Sequence, residues 1–353
     1  MKLGLFLPTG NNGWISSETA PHYMPTYRLN RDIVRLAENA GFTIGLGMIS
    51  FRGYGGVTEH WDYTSEPMTQ TAAVLASTDS MQIFASVGVL SVHPAMAARM
   101  AATIDDVAPG RFGVNITTGW NSAEYAQMGM WPGDDYFGYR YDYASEWAQV
   151  FRDLVETGRS DFRGKFFQMD DCRMGMHPAG KIQISAAGSS PRGREFAGQF
   201  ADFNFTTAIE PGAVAEAHAQ MSAAAAANGR EVRILTTRSV IIADTDEDAA
   251  ARIEHYNSGS DIEALTNERG QYAQDSSGTM SKEAVNRIRT HQAVDPNSPR
   301  LFAGSARTVA EKLNLLASEG GLAGVMLSFD DFRDGVGRFG KEVVPLLDFD
   351  ITH

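Results

Sequence analysis

Eight short apolar runs recur along the chain, most of them followed by a stretch with helical spacing. The first is KLGLFLP, closed by Pro8 and followed by the turn-forming TGNNGW. Leu29, Ile33, Leu36 and Ala40 then fall on one helical face that ends at Gly41, where a C-terminal glycine belongs. Further apolar runs follow at 42–49, 81–90 and 111–116, with helical segments at 67–78 and 93–110 between them. The last of these helices has Pro94 in its first turn and Gly110 past its end. The alternation resumes with apolar runs at 181–187, 201–207, 232–243 and 324–329. The stretch 308–321 opens with a capping-box spacing from Thr308 to Glu311.

Strands that are apolar on both faces and separated by helices predict a parallel sheet in an α/β fold. Eight such units predict a closed (β/α)8 TIM barrel, with an open doubly wound sheet as the rival arrangement. Residues 1–353 read as a single barrel domain with two insertions. The segment 129–180, after strand four, is rich in aromatics and contains a long helix around 140–157. The segment 257–299 is polar and weakly periodic; it reads either as a cover over the barrel mouth or as a surface excursion.

In such a barrel the chemistry sits where strands end and the following loops begin. Polar residues interrupt the apolar pattern at those places. Asn115 lies within strand four and feeds TTGWNSAEY; Ser86 lies within strand three; Met48, Ile49 and Ser50 end strand two. A buried amide must find partners, in a site or on a neighbouring backbone group. After strand five, Gly188, Ser189, Ser190 and Arg192 form a small-residue junction whose free N–H groups suit a phosphate or an ordinary turn. Neither a Walker loop nor a dinucleotide fingerprint is present. Tyr139, Arg140, Tyr141 and Tyr143 at a helix start suit an anion or a surface patch.

Charge and composition narrow the function. A net charge of −13, spread along the chain, argues against a nucleic-acid partner. No apolar run is long enough for a membrane span, and the start has no signal-peptide pattern, so a cytoplasmic protein is expected. The single Cys172 excludes an internal disulfide, and its acidic neighbours disfavour a reactive thiolate. The eight histidines show no metal-ligand spacing, so no metal is expected; His93 reads as structural, and His60 lies on a loop that can face the mouth. Without an evident acid–base pair, the chemistry falls to a cofactor.

The stretches GRFGVNITTGWNSAEYAQMG, WPGDDYFGYRYDY, DFRGKFFQMDDCR and ADFNF resemble the pyrimidine (uracil) monooxygenases of the bacterial-luciferase-like, FMN-dependent monooxygenases. The likeness extends from PTGNNGW, APHYMPT and RGYGG to FDDF and covers nearly the whole chain. It implies a (β/α)8 barrel that takes reduced FMN from a separate NADH-dependent flavin reductase and assembles as a dimer or tetramer. FMN would contact Ile49, Ser50, Asn115, Glu124, Arg140, Tyr141 and Ser190, with Arg140 and Ser190 at the phosphate. Met48, Ser86, Asn115 and Trp120 would build the oxygen pocket beside the ring. The implied reaction uses O2, through a flavin peroxide, to break the N3–C4 amide of uracil or thymine and give a ureidoacrylate-type product.

One position departs from that pattern: Ser86 stands where the resemblance implies threonine. The hydroxyl is kept and a methyl is lost, so the pocket should be roomier. The same flavin chemistry on a sulfone, sulfonate or halogenated aromatic is the alternative within this fold. A non-catalytic flavin-binding protein or a deazaflavin (F420) reductase is the alternative of another class.

Overall fold

A computed structural model describes residues 1–188, 190–206, 212–273 and 292–352. All eight expected strands form: β1 (Lys2–Leu7), β2 (Ile44–Gly47), β3 (Gln82–Gly88), β4 (Phe112–Thr117), β7 (Gln183–Ala187), β8 (Phe203–Phe205), β9 (Arg233–Ala243) and β11 (Leu322–Phe329). Each pairs in parallel with the next in that order, and β11 returns to β1, so the sheet closes on itself. The barrel is thus closed, and the open doubly wound alternative is excluded. Three strands were not expected from the pattern. β5 (Arg159–Ser160) and β6 (Cys172–Arg173) make a two-strand hairpin in the first insertion, and β10 (Leu301–Ser305) extends the sheet beyond β9.

The barrel interior is filled from below by Ile44, Leu46, Phe84, Phe203, Phe205, Leu235 and Met326. Phe84 packs edge-on to Phe203, 5.6 Å between centroids, and its ring covers Gly113. A Cβ at Gly113 would come within 2.5 Å of that ring, so only glycine leaves room for it. This plug lies beneath the cavity at the C-terminal ends of the strands. A larger core lies between the strands and the outer helices.

The expected helices form, with one boundary corrected. The helix Ala306–Ser318 is capped by Ser305, whose hydroxyl accepts from Thr308 N, and not by a Thr308–Glu311 box. Thr308 Oγ1 instead donates to Asp246 Oδ2 at 2.9 Å. His93 accepts from Ala95 N at the start of Pro94–Val107, the structural role expected of it.

The first insertion packs on the helix Tyr136–Thr157. Phe166 stacks on Tyr139 and meets Tyr143, while the Glu146 carboxylate accepts from the N–H groups of Lys165, Phe166 and Phe167. FFQMDDCR thus holds this insertion to its helix through Phe166 and Phe167, while in WPGDDYF Trp131 packs on Tyr136 and Phe137 at the start of that helix. In FDDF, Asp331 caps the helix Phe332–Arg338 and Asp330 accepts from Tyr256 Oη.

Candidate active site

A cavity of about 540 Å³ opens at the C-terminal ends of the strands. Every residue expected at the flavin or in the oxygen pocket lines it: Met48, Ile49, Ser50, Ser86, Asn115, Trp120, Glu124, Arg140, Tyr141 and Ser190. Tyr139, Tyr143 and Arg192 do not. The two tyrosines belong to the aromatic packing of the insertion, and Arg192 points outward to an ion pair with Asp142. Ser189 lies outside the described residues.

Strand register builds the polar centre of the cavity. Ser86, Asn115 and Ser185 are direct neighbours across β3, β4 and β7. Asn115 Nδ2 donates to Ser86 Oγ at 2.9 Å, and Ser185 Oγ donates to Asn115 Oδ1 at 3.0 Å. All three are buried, so each bond is shielded from competing water. The arrangement fixes the amide with its oxygen engaged and leaves one N–H of Nδ2 for the cavity. Ser86 Oγ, already an acceptor, keeps its own proton to donate. Ser185 was not singled out from the sequence, although a serine inside the apolar run KIQISAA is the same signal that Ser86 gave.

At the other end, Ser190 caps the helix Pro191–Phe200 and accepts from Gly193 N at 3.1 Å. A Cβ at Gly193 would meet Gly188 Cα and Tyr141 Oη, both at 2.9 Å. The two glycines therefore bring the strand end, the helix start and a tyrosine hydroxyl together in a cradle that larger residues would fill. Arg140 is 3% exposed, and its guanidinium lies 5.3 Å from the Tyr141 ring centroid. The Ser190 cap with its helix N-terminus and the buried Arg140 cation line the same cavity, chemistry that suits an anion. Between the two ends, Ser50 Oγ donates to Glu124 Oε1 at 3.0 Å. Burial pushes the Glu124 carboxyl up to about 7, against the lowering effect of its bonds to Ser50, Phe51 and Asn121. The volume and the donor set fit a flavin mononucleotide: apolar side chains, hydroxyls and an amide line the cavity together with a cation and a helix N-terminus.

Part of the second insertion reaches this mouth. The helix Ile262–Tyr272 places Glu268 and Tyr272 on the cavity, and Tyr272 stacks on Trp120, 4.6 Å between centroids and 11° between planes. Gln271 accepts from Asn121 Nδ2 at 2.6 Å and donates to the Gly53 carbonyl at 2.9 Å. Asn267 Nδ2 donates to the Tyr54 carbonyl at 2.9 Å. Residues 274–291 of this insertion lie outside the described residues.

Other lining residues went unremarked in the sequence. Trp14, from TGNNGW, Tyr54 and Trp61 line the cavity beside His60, which faces the mouth as its loop allowed, and the rings of Tyr54, His60 and Trp61 pack against one another. Among the described residues no cluster of His, Cys, Asp and Glu could hold a metal ion, and no helix is long and apolar enough to cross a membrane.

Residues 1–323 match the family model described as luciferase-like monooxygenase. The chain is 47% identical over 350 residues to a pyrimidine monooxygenase RutA of Bradyrhizobium sp. strain BTAi1, covering 98% of this chain and 97% of that one. It is 46% identical to the protein of the same name from Stutzerimonas stutzeri, covering 98% and 96%. Among solved structures it resembles a long-chain alkane monooxygenase (TM-score 0.83, 18% identity, covering 100% and 93%). It also resembles the EDTA monooxygenase of Chelativorans sp. BNC1 (TM-score 0.80, 18% identity, covering 98% and 93%). At those identities the likeness is one of fold.

Proposed function

The chain belongs to the luciferase-like monooxygenase family, and from that premise we propose how its cavity works. The protein is a flavin-dependent pyrimidine monooxygenase. In the finer reading its cofactor is reduced FMN delivered by a separate NADH-dependent reductase, its substrate is uracil or thymine, and the bond broken is the N3–C4 amide.

Reduced flavin, when bound, supplies the two electrons that activate O2. Ser190, Gly188, Gly193, Arg140 and Tyr141 would hold its phosphate end, and Ile49, Ser50, Asn115 and Glu124 its ring. The protein's part is to position and to exclude water. Asn115 Nδ2 and Ser86 Oγ each keep a proton directed at the cavity, two donors suited to an oxygen atom that gains negative charge. Met48 and the Trp120–Tyr272 stack form an apolar flank that limits water beside them. Ser86, one methyl smaller than threonine, leaves extra space next to those donors.

The observation that carries this reading is the Ser86–Asn115–Ser185 chain, a fixed amide and a free hydroxyl in the same slot as an anion cradle. The test is turnover with FMN, NADH, a flavin reductase and O2, with and without uracil. Uracil-dependent ring opening, seen by mass spectrometry, is expected. Oxygen transfer only to a sulfonate or sulfone would move the substrate assignment. Flavin binding without transfer, or turnover only with reduced F420, would overturn the reading. Assembly into a dimer or tetramer is part of the same proposal and is checked by light scattering.

A further inference from the structure

The wall opposite Asn115 carries hydroxyls that have no role in the function proposed above. In β9, Leu235 belongs to the barrel plug, and side chains alternate along a strand, so Thr237 and Ser239 rise above it on the same inner face. In β11, Met326 belongs to the plug and Ser328 rises above it. Register places Thr237 beside Met326 and Ser239 beside Ser328. All three hydroxyl residues line the cavity.

Ser239 Oγ and Ser328 Oγ lie 3.2 Å apart, and either can be the donor. The pair therefore holds one proton between its oxygens and keeps one proton and several lone pairs for the cavity. Thr237 Oγ1 is shut off from solvent and has no hydrogen-bond partner among the described residues. Leaving a buried hydroxyl unpaired costs about 1–3 kcal/mol, a cost that a ligand atom would relieve once a turn about χ1 brings this hydroxyl to the cavity. The strand is braced from behind, because Arg238 Nη1 donates to Thr236 Oγ1 at 2.9 Å and to the Thr237 carbonyl at 2.8 Å.

We propose that Thr237, Ser239 and Ser328 form the subsite that takes the imide edge of the substrate, its C2 carbonyl, N3–H and C4 carbonyl. The proposal rests on the pyrimidine reading above and specifies how the ring is held. That edge runs acceptor, donor, acceptor. A hydroxyl both donates and accepts, so a set of three matches the alternation without a fixed charge. A sulfonate or carboxylate presents acceptors alone and would leave the lone pairs of this wall unused. The edge so held contains the amide that is cleaved, which ties recognition to the reacting bond.

The test is ligand binding to the enzyme loaded with oxidised FMN, by calorimetry and by the flavin difference spectrum. Wild type is expected to bind uracil and 1-methyluracil and to bind 3-methyluracil, which lacks the N3–H, much more weakly. Thr237→Val is expected to weaken uracil by about three- to tenfold, one lost hydrogen bond, and the double change Ser239→Ala with Ser328→Ala by about ten- to a hundredfold, two lost hydrogen bonds. In both, the preference for uracil over 3-methyluracil should shrink while FMN affinity and the circular dichroism spectrum hold. Thr237→Ser should restore uracil binding. Unchanged uracil affinity in the variants, or equal binding of 3-methyluracil by wild type, would overturn the subsite while leaving the pyrimidine reading intact. If wild type ignores uracil in binding and in turnover but takes propanesulfonate, both fall together.

Discussion

Ser185 Oγ donates to Asn115 Oδ1 at 3.0 Å, from the strand next to the one that carries the amide. With its oxygen held in this way, Asn115 has its Nδ2 fixed toward Ser86 and the cavity. The amide could otherwise turn over and present its oxygen, an acceptor where a donor is needed.

Two variants separate holding the flavin from steering oxygen. Asn115→Ala should keep FMN but lose most oxygenation, reduced flavin being spent on hydrogen peroxide. Ser185→Ala should give a milder version: about a fivefold fall in product formed per NADH, from one lost hydrogen bond of about 1 kcal/mol that leaves the amide mobile. Parallel assays of ureidoacrylate-type product, peroxide and FMN affinity check both. Normal coupling in Asn115→Ala would remove the oxygen-pocket assignment.

The cradle proposed for the phosphate depends on the absence of two side chains. Gly193→Ala would set a Cβ 2.9 Å from Gly188 Cα and from Tyr141 Oη. Alanine's better helix propensity, worth about 1 kcal/mol, opposes about 1–3 kcal/mol of overpacking, so stability should fall only slightly. FMN affinity should fall by about tenfold or more, because the same shift spreads the cap and the strand end. Fluorescence titration with FMN, set beside riboflavin, checks it: a loss confined to FMN places the defect at the phosphate.

The barrel was legible because its signal is repetition: eight apolar runs, each too apolar to face water, with helices between. Asn115 and Ser86 were legible for the converse reason, as polar residues where that pattern demands apolar ones. Ser185, Thr237, Ser239 and Ser328 carry the same mark inside KIQISAA, VRILTTRSVIIA and GVMLSF. They passed unread because a strand pattern does not say which face looks into the barrel. Only register does that, by setting Ser185 beside Asn115 and Ser239 beside Ser328. Tyr139 and Tyr143 failed in the opposite direction: next to Arg140 in sequence, they turn on the helix to meet Phe166 and Phe167. β10 was missed because LFAGS is short and follows a polar insertion.

The helix Ile262–Tyr272 is fastened to the mouth largely by side-chain amides. Gln271→Ala removes both its bonds, leaving the Gly53 carbonyl and Asn121 Nδ2 to find other partners. A loss of about 1–3 kcal/mol in local opening is expected. Hydrogen exchange within 262–272 should accelerate by about tenfold or more while β3 and β4 keep their protection. Equal exchange in both proteins would show that the Trp120–Tyr272 stack and the Asn267 bond suffice.

Glu124 gives a pH signature whose sign follows from its burial. Its carboxyl titrates near 7 in the folded chain, against the ordinary value of 4.5. Below about 4.5 both folded and unfolded chains carry the proton, and the group is neutral in its effect. Between about 4.5 and 7 the unfolded chain releases the proton and the folded one retains it, so stability falls as pH rises. Above 7 the penalty is complete, on the order of 3 kcal/mol as an upper bound. Glu124→Gln cannot ionise and keeps an oxygen to accept from Ser50. It should therefore match wild type near pH 4.5 and become progressively more stable than wild type toward pH 7.5. Bound flavin should feel the same titration, because a protonated Glu124 donates a hydrogen bond and an ionised one cannot. Riboflavin, which has no phosphate to titrate, should bind wild type more weakly as pH rises through 7 and bind Glu124→Gln with little change. Thermal melts and riboflavin titrations from pH 4.5 to 8 test both; parallel curves for the two proteins would mean that Glu124 is ionised throughout and that its burial is offset by the bonds from Ser50, Phe51 and Asn121.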